Sequence, residues 1–264
     1  MKRLLITGAA GVLGRVSRQR LSHVAEKIRI SDVAPLHASA AHEEAVQCDL
    51  ADRQAVEKLV AGCDGILHFG GISTEDKFSK ILSANIQGIF NLYEAARNNG
   101  SPRIFLASSN HVIGFHKRTE HLDAQVLPRP DGYYGVSKCF AEGVATLYYD
   151  KFGLETAIVR IGSCAPEPVT HRMLSTWLSH DDLISLIECV FRAPKLHCPV
   201  IYGVSANDAS WWDNSAVSYL GWKPKDNAAA FRAKVKAAAA PSGKEGIAAL
   251  YQGGEYVDYP IYDD

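Results

Sequence analysis

Gly8-Ala9-Ala10-Gly11-Val12-Leu13-Gly14 stands directly behind a short apolar run, Leu4 to Thr7, and opens a stretch that can form a helix from about Val12 to Ser22. No other feature restricts the fold as much. Glycines there permit a tight turn, let the backbone approach a pyrophosphate and allow close helix–strand packing, while the helix N-terminus attracts phosphate charge. A glycine motif alone is weak evidence. Here the right strand precedes it, the right helix follows, and an acid lies downstream. Asp32, 18 positions beyond Gly14, ends a second apolar run, Ile28 to Ser31. A carboxylate there accepts hydrogen bonds from adenosine ribose hydroxyls and repels a 2′-phosphate, so NAD is favoured over NADP. The alternative is an ordinary tight turn with a helix-capping aspartate.

The same alternation continues. Ala45–Cys48 reads as a strand, followed by a helix with Asp52 as its N-cap; Ile66–Phe69 as a strand, then a helix from about Lys80 to Asn98, stopped by Asn99-Gly100. Arg103–Ala107 is a fifth strand, Tyr133–Phe152 a helix and Thr156–Ile161 a sixth strand. Strands alternating with helices make βαβ units and a parallel sheet covered on both faces. The expected class is therefore α/β, a Rossmann-type doubly wound parallel sheet. After residue 162 prolines loosen the pattern; a helix at Asp182–Phe191, a strand at Pro199–Tyr202 and an Ala-rich helix from Asp226 to about Ala239 remain. We expect a single domain over 1–264, with 1–162 mainly the NAD-binding core. Residues 163–264 are expected to form mainly a small substrate lobe packed on the sheet.

Composition removes other classes. The 264 residues carry 28 Lys+Arg against 29 Asp+Glu, a net charge of −1, which argues against broad binding to nucleic acid or anionic membrane. No stretch reaches the roughly 18 apolar residues of a membrane span. The six cysteines form no Cys-x-x-Cys pair and no tight cluster with histidine, so no metal site is expected and reduced thiols in a cytoplasmic protein are the simplest reading.

Two sets of residues suggest chemistry. Tyr134 and Lys138, four apart, share one face of the Tyr133–Phe152 helix. A nearby ammonium and a cationic nicotinamide stabilise phenolate, so Tyr134 can remove a hydroxyl proton while hydride leaves for the nicotinamide. Ser108-Ser109 end the fifth strand, where a hydroxyl can hold the reacting oxygen. Alone, a Tyr/Lys pair on a helix is usually surface and core; beside the serines and the glycine loop it reads as catalytic. Asp49-Leu50 and Gly70-Gly71-Ile72-Ser73 stand at carboxyl ends of strands, where open α/β sheets bind ligands. A helix cap and an ordinary turn are the plain alternatives there.

These residues resemble the short-chain dehydrogenase/reductase superfamily, extended type. Thr7-Gly-Ala-Ala-Gly-Val-Leu-Gly14 is similar to its TGxxGxxG loop and Tyr134-x-x-x-Lys138 to its YxxxK pair. Ser109 fits its catalytic serine, and Asn85-Ile-Gln-Gly-Ile-Phe-Asn-Leu its NxxGxxNL stretch. Ser108–His111, Gly70–Ser73, Arg160–Cys164, His171–Trp177 and Gly221–Asp226 together resemble the uronate dehydrogenases, over nearly the whole chain.

The resemblance implies oxidation of D-galacturonate and D-glucuronate at C1 to aldarolactones, with NAD as acceptor and catalysis by Tyr134, Lys138 and Ser109. It implies cofactor contacts from Gly8, Gly11, Val12, Leu13, Gly14, Asp32, Asp49, Leu50, Phe69, Gly70, Gly71, Ile72, Ser73, Asn85, Lys138 and Cys164. Ser73, Ser109, Asn110, His111, Tyr134, Ser163 and Arg172 would line the substrate pocket. A uronate carries a carboxylate, and Arg172 can hold one bidentately; the plain reading of Arg172 is a surface arginine. His111 is expected in the pocket but not as the base, and Cys164 near the cofactor but not as a nucleophile. Trp177, Trp211, Trp212 and Trp222 read as packing, and Arg160 as an ion-pair residue. A homo-oligomer is expected. Two other readings stay open: a nucleotide-sugar epimerase of the same fold, and a non-catalytic NAD sensor, against which the complete Tyr134, Lys138 and Ser109 set counts.

Overall fold

The computed structural model describes residues 1–238 and 246–263. Seven parallel strands form the central sheet: β1 (Arg3–Thr7), β2 (Lys27–Asp32), β3 (Glu43–Gln47), β4 (Gly65–His68), β5 (Arg103–Ser109), β6 (Thr156–Ile161) and β9 (Val200–Gly203). Their order across the sheet is β3-β2-β1-β4-β5-β6-β9. The order reverses between β1 and β4, and crevices at such reversals are where open α/β sheets bind ligands.

Alternating side chains on each strand feed two different cores. Leu4, Ile6, Phe105, Ala157 and Val159 face Leu183, Leu186, Ile187 and Val190 of α7 (His180–Arg192), beside α1 (Val12–Arg20). Leu5, Ile66, Ile104, Leu106 and Ile158 face α2 (Arg53–Val60), α4 (Gly88–Asn98) and α5 (Tyr133–Phe152). A strand buried on both faces reads as a continuous apolar run, which is why Leu4–Ile6 and Ile104–Leu106 were legible. Each such side chain, fully buried, contributes about 1.5–3 kcal/mol.

Three details differ from expectation. The helix expected at Lys80–Asn98 is three pieces: α3 (Phe78–Ile81), a wide π turn at Leu82–Gln87, and α4. The Ala-rich helix is a 3₁₀ turn at Ala228–Phe231 followed by α8 (Arg232–Ala238), while Ala239 lies outside the described residues. The third is the limit of the sheet. α7 and β9 both come from beyond residue 162, and β9 pairs with β6 through Ile158–Val200 to Ile161–Gly203. The short strands β7 (Ser163–Cys164) and β8 (Trp177–Leu178), with α6 (Met173–Thr176) just before β8, pair with each other apart from the central sheet. Among the described residues no helix is long and apolar enough to cross a membrane.

Candidate active site

A cleft of about 1100 Å³ runs along the carboxyl ends of the strands, from Thr7 and Gly8 to Arg172 and Tyr256. Its first half is backbone. Gly8 has φ +69, and a Cβ there would meet the Phe69 carbonyl carbon at 2.6 Å and the Gly70 nitrogen at 2.7 Å. A Cβ at Gly14 would run into the Gly8 carbonyl. Gly11 caps α1 without a side-chain hydrogen bond, and among the described residues no backbone acceptor takes the N–H groups of Val12 and Leu13. Those amides, at a helix N-terminus, suit a pyrophosphate. Thr7 Oγ1 accepts the Gly70 N–H (3.2 Å) and pairs with His68 Nδ1 (2.7 Å), tying the two strand ends that flank the crevice.

Asp32 lines the cleft at the end of β2. Its Oδ2 accepts the Ala10 N–H (3.0 Å) and its Oδ1 the Ala34 N–H (3.1 Å), so it also braces the glycine loop. Asp49 and Leu50 line the cleft, as do Phe69, Gly70, Gly71, Ile72 and Ser73. The glycine cradle, the open amides and the strand-end acid together fit a dinucleotide.

Two expected cofactor contacts stand outside the cleft lining. Asn85 is buried and its amide is used up: Oδ1 accepts the Ile72 N–H (2.8 Å), and Nδ2 donates to the Ile72 carbonyl and to Ser137 Oγ, both at 3.0 Å. It holds the Gly70–Ser73 turn against α5. Cys164 packs on the core below, where burial pushes its thiol up to about 12, so it is no nucleophile.

The catalytic candidates converge at mid-cleft. Lys138 is buried; its Nζ donates to the Ala107 carbonyl (2.8 Å) and lies 5.6 Å from the centre of the Tyr134 ring. Burial pushes its ammonium down to about 8, against the pull of Glu142 one turn further along α5. Glu142 is itself gripped by Arg160, with Nη2 at 2.8 Å and Nε at 3.0 Å, and accepts from Ser108 Oγ at 2.6 Å. Of the two strand-end serines, Ser108 thus serves this buried ion pair and Ser109 faces the cleft. Ser109 Oγ accepts the His111 N–H at 3.2 Å and stands close enough to the Tyr134 phenol to act on it. Burial raises the Tyr134 phenol above its ordinary range, and Ser109, not Lys138, is the protein group that opposes the rise.

The last third is polar. Arg172 Nε donates to the Gln252 carbonyl (2.7 Å) and Nη1 to Ser163 Oγ (3.2 Å). With its nitrogen turned to the Ile161 carbonyl (3.1 Å), the Asn110 amide accepts from Arg172 Nη2 at 2.7 Å. His111 pairs through Nδ1 with Asp131 Oδ2 (2.8 Å) and stacks on Tyr256, ring centres 3.7 Å apart.

Sequence reasoning passed over four residues of this neighbourhood. Asp131 and Glu75 sit in loops with no motif. Tyr256 and Gln252 belong to a segment docked along residues 114–120: the Gln252 N–H donates to the His116 carbonyl (2.8 Å) and the Gly253 N–H to the Gly114 carbonyl (2.9 Å). The Gln252 side chain accepts from Trp212 Nε1 (2.7 Å) and donates to the Lys117 and Glu120 carbonyls, both at 3.0 Å.

The family model described as NAD dependent epimerase/dehydratase family matches residues 4–179. A uronate dehydrogenase of Agrobacterium fabrum is 61% identical over 262 residues, 99% of either chain. The crystal structure of uronate dehydrogenase from Agrobacterium tumefaciens, a tyrosine-to-alanine mutant complexed with NAD, superposes with a TM-score of 0.98 at 60% identity, covering 100% of each chain. A glucuronic acid dehydrogenase from Chromohalobacter salexigens superposes with a TM-score of 0.96 at 52% identity, over 98% of this chain and 97% of that one.

Proposed function

The chain belongs to the NAD dependent epimerase/dehydratase family, and from that membership we propose that it oxidises D-galacturonate and D-glucuronate at C1 to the aldarolactone, with NAD as acceptor. The observation that carries this reading is Arg172. Its guanidinium is buried enough that its pKa falls to about 10, and no carboxylate pairs with it among the described residues. Asp131 and Glu255 act on it only from a distance, and a buried cation without a direct ion pair is costly. Three of its five N–H groups hold neutral acceptors, which leaves one on each Nη, the pair that a substrate carboxylate can take side by side.

Tyr134 takes the proton of the C1 hydroxyl, Ser109 holds that oxygen, and the C1 hydrogen departs with its electron pair, so the C1–O bond becomes the lactone carbonyl. Lys138 keeps a positive charge behind the phenol. Bound NAD supplies the hydride acceptor and, on its nicotinamide, a further positive charge that favours phenolate. Ser73, Asn110, His111 and Ser163 surround the sugar ring. Asn85 acts one step back, through the turn that carries Ser73.

The chain acts as one domain in this reading, since its sheet draws strands from both halves, and works in the cytoplasm. It pairs with a second copy through α4 and α5, where Phe90, Phe140 and Leu147 are exposed and Gly143 faces open space. A single-chain mass by light scattering would remove the pairing.

The deciding experiment measures NAD reduction with galacturonate, glucuronate and galactose. Galactose has a hydroxymethyl group in place of the carboxylate, so the wild type should prefer galacturonate strongly in kcat/KM. Arg172→Ala should lose most of that preference by slowing galacturonate, and Arg172→Lys should restore only part, because a point charge cannot make two parallel bonds. Equal slowing of both sugars by the alanine variant would make Arg172 structural and leave the carboxylate reading without its support.

A further inference from the structure

We infer that Asp131 is a positioning residue that fixes His111 as a hydrogen-bond acceptor, and that through it the cleft reads a hydroxyl group of the sugar acid; the second half of this inference rests on the hexuronate reading above.

Asp131 is an unusual carboxylate. Its side chain is fully buried. Oδ2 meets His111 Nδ1 at 2.8 Å, and Oδ1 has no partner among the described residues. A Cβ at Gly114 or at Gly253 would run into it, so two separate segments leave room for this one group. A buried acceptor left bare is expensive, and a purely structural role does not call for a carboxylate with one idle oxygen. What the arrangement achieves is control of one imidazole.

That ring is held on three sides. Tyr256 stacks on one face at an interplanar angle of 22°, Tyr134 meets it edge-on with centres 5.8 Å apart, and Asp131 takes the Nδ1 corner. Among the described residues Nε2 has no hydrogen-bond partner, and the ring lines the cleft. The charged and titratable groups around it are Asp131 and Glu75, which favour the imidazolium, Arg172, which opposes it, and the phenols of Tyr134 and Tyr256. Burial outweighs the pull of Asp131 and pushes the histidine below its ordinary value, so the ring is neutral at pH 7. An ionised carboxylate can only accept, so the single ring proton sits on Nδ1 and Nε2 is left as an acceptor.

An acceptor beside a buried guanidinium makes a pair of opposite character. Arg172 donates and suits a carboxylate; His111 accepts and suits a hydroxyl. A hydroxy acid satisfies both, and a sugar lacking the hydroxyl that meets Nε2 leaves that nitrogen bare. Selectivity among ring hydroxyls is thereby assigned to the Asp131–His111 pair.

The test uses the full chain with NAD, galacturonate and its monodeoxy analogues, together with ¹⁵N NMR of labelled histidine. In the wild type one analogue should lose about tenfold or more in kcat/KM. Asp131→Asn keeps the shape but can turn an N–H toward Nδ1 and invert the tautomer. It should lose a similar factor on galacturonate, cease to distinguish that analogue, and keep its NAD affinity. The ¹⁵N signals of wild-type His111 should show Nδ1 protonated and Nε2 bare. His111→Gln should lose the same discrimination, which decides the matter should the Asp131 variant not fold. Unchanged discrimination in either variant, or an Nε2–H signal in the wild type, overturns the inference. A wild type that shows the Nδ1–H tautomer but oxidises no uronate overturns the hexuronate reading and leaves the Asp131–His111 assignment standing.

Discussion

The carboxylate of Glu75 accepts the backbone N–H of Tyr134 at 2.9 Å, and with its other oxygen that of Tyr133 at 2.8 Å. α5 therefore begins not with a cap of its own, since Gly132 offers no side chain, but with one lent by the loop that carries Ser73. A carboxylate there also complements the positive end of the helix.

Removing this cap should be felt in both stability and catalysis. Glu75→Ala leaves two first-turn N–H groups unpaired and should lower the unfolding free energy by about 1–2 kcal/mol. It also frees the loop from the helix, so kcat/KM for the sugar should fall about tenfold or more while the Kd for NAD holds. Denaturant titration and steady-state kinetics on one preparation decide it; wild-type kinetics in a destabilised variant would confine Glu75 to structure.

If its ammonium holds the nicotinamide ribose, Lys138 should make the NAD affinity depend on pH. Burial disfavours its ammonium, so the folded value of about 8 lies below the ordinary 10.5. The charge is present below pH 8 and is lost as pH rises through it. The Kd for NAD should accordingly weaken above pH 8, and Lys138→Met should flatten that dependence. A Kd constant up to pH 10 in the wild type would show that the ammonium does not hold the cofactor. Tyr134→Phe, by contrast, should leave the NAD titration intact while turnover falls by about 10²–10⁴.

Asp32 should make the protein prefer NAD to NADP in kcat/KM. The double brace from Asp32 to Ala10 and Ala34 adds a second consequence: Asp32→Ala should weaken NAD use and narrow the preference, and also lower thermal stability, because the Ala10 N–H loses its acceptor. Equal use of both dinucleotides by the wild type would contradict the assignment.

The nucleotide half of the site was legible because its determinants are local. Gly8 to Gly14 and Asp32 lie within one βαβ unit, and Tyr134 and Lys138 within one helical turn, so spacing alone brings them together. Arg172 was reached only by resemblance. Asp131, Glu75 and Tyr256 were not reached at all, since their partners lie 20 to 145 positions away in sequence (His111 to Asp131, 131 − 111; to Tyr256, 256 − 111) and no periodicity records such pairings. Asn85 shows the opposite case. Its motif was visible, but a motif does not say whether an amide meets the ligand or the loop beneath it. The π turn at Leu82–Gln87 was hidden for a similar reason: an apolar pattern of helical period tolerates one wide turn without announcing it.

Gln252 has every polar atom of its side chain committed, to Trp212, Lys117 and Glu120, and is fully buried. Next to it, a Cβ on Gly254 would come within 2.6 Å of Arg172 Cδ. The segment that backs Arg172 and brings Tyr256 to the pocket is thus a wall fastened at several points. Such a wall defines a ruler rather than a cushion. Admitting a bulkier sugar means first loosening the Gln252 anchorage, and trimming individual side chains inside the pocket would change what is gripped without changing how much fits.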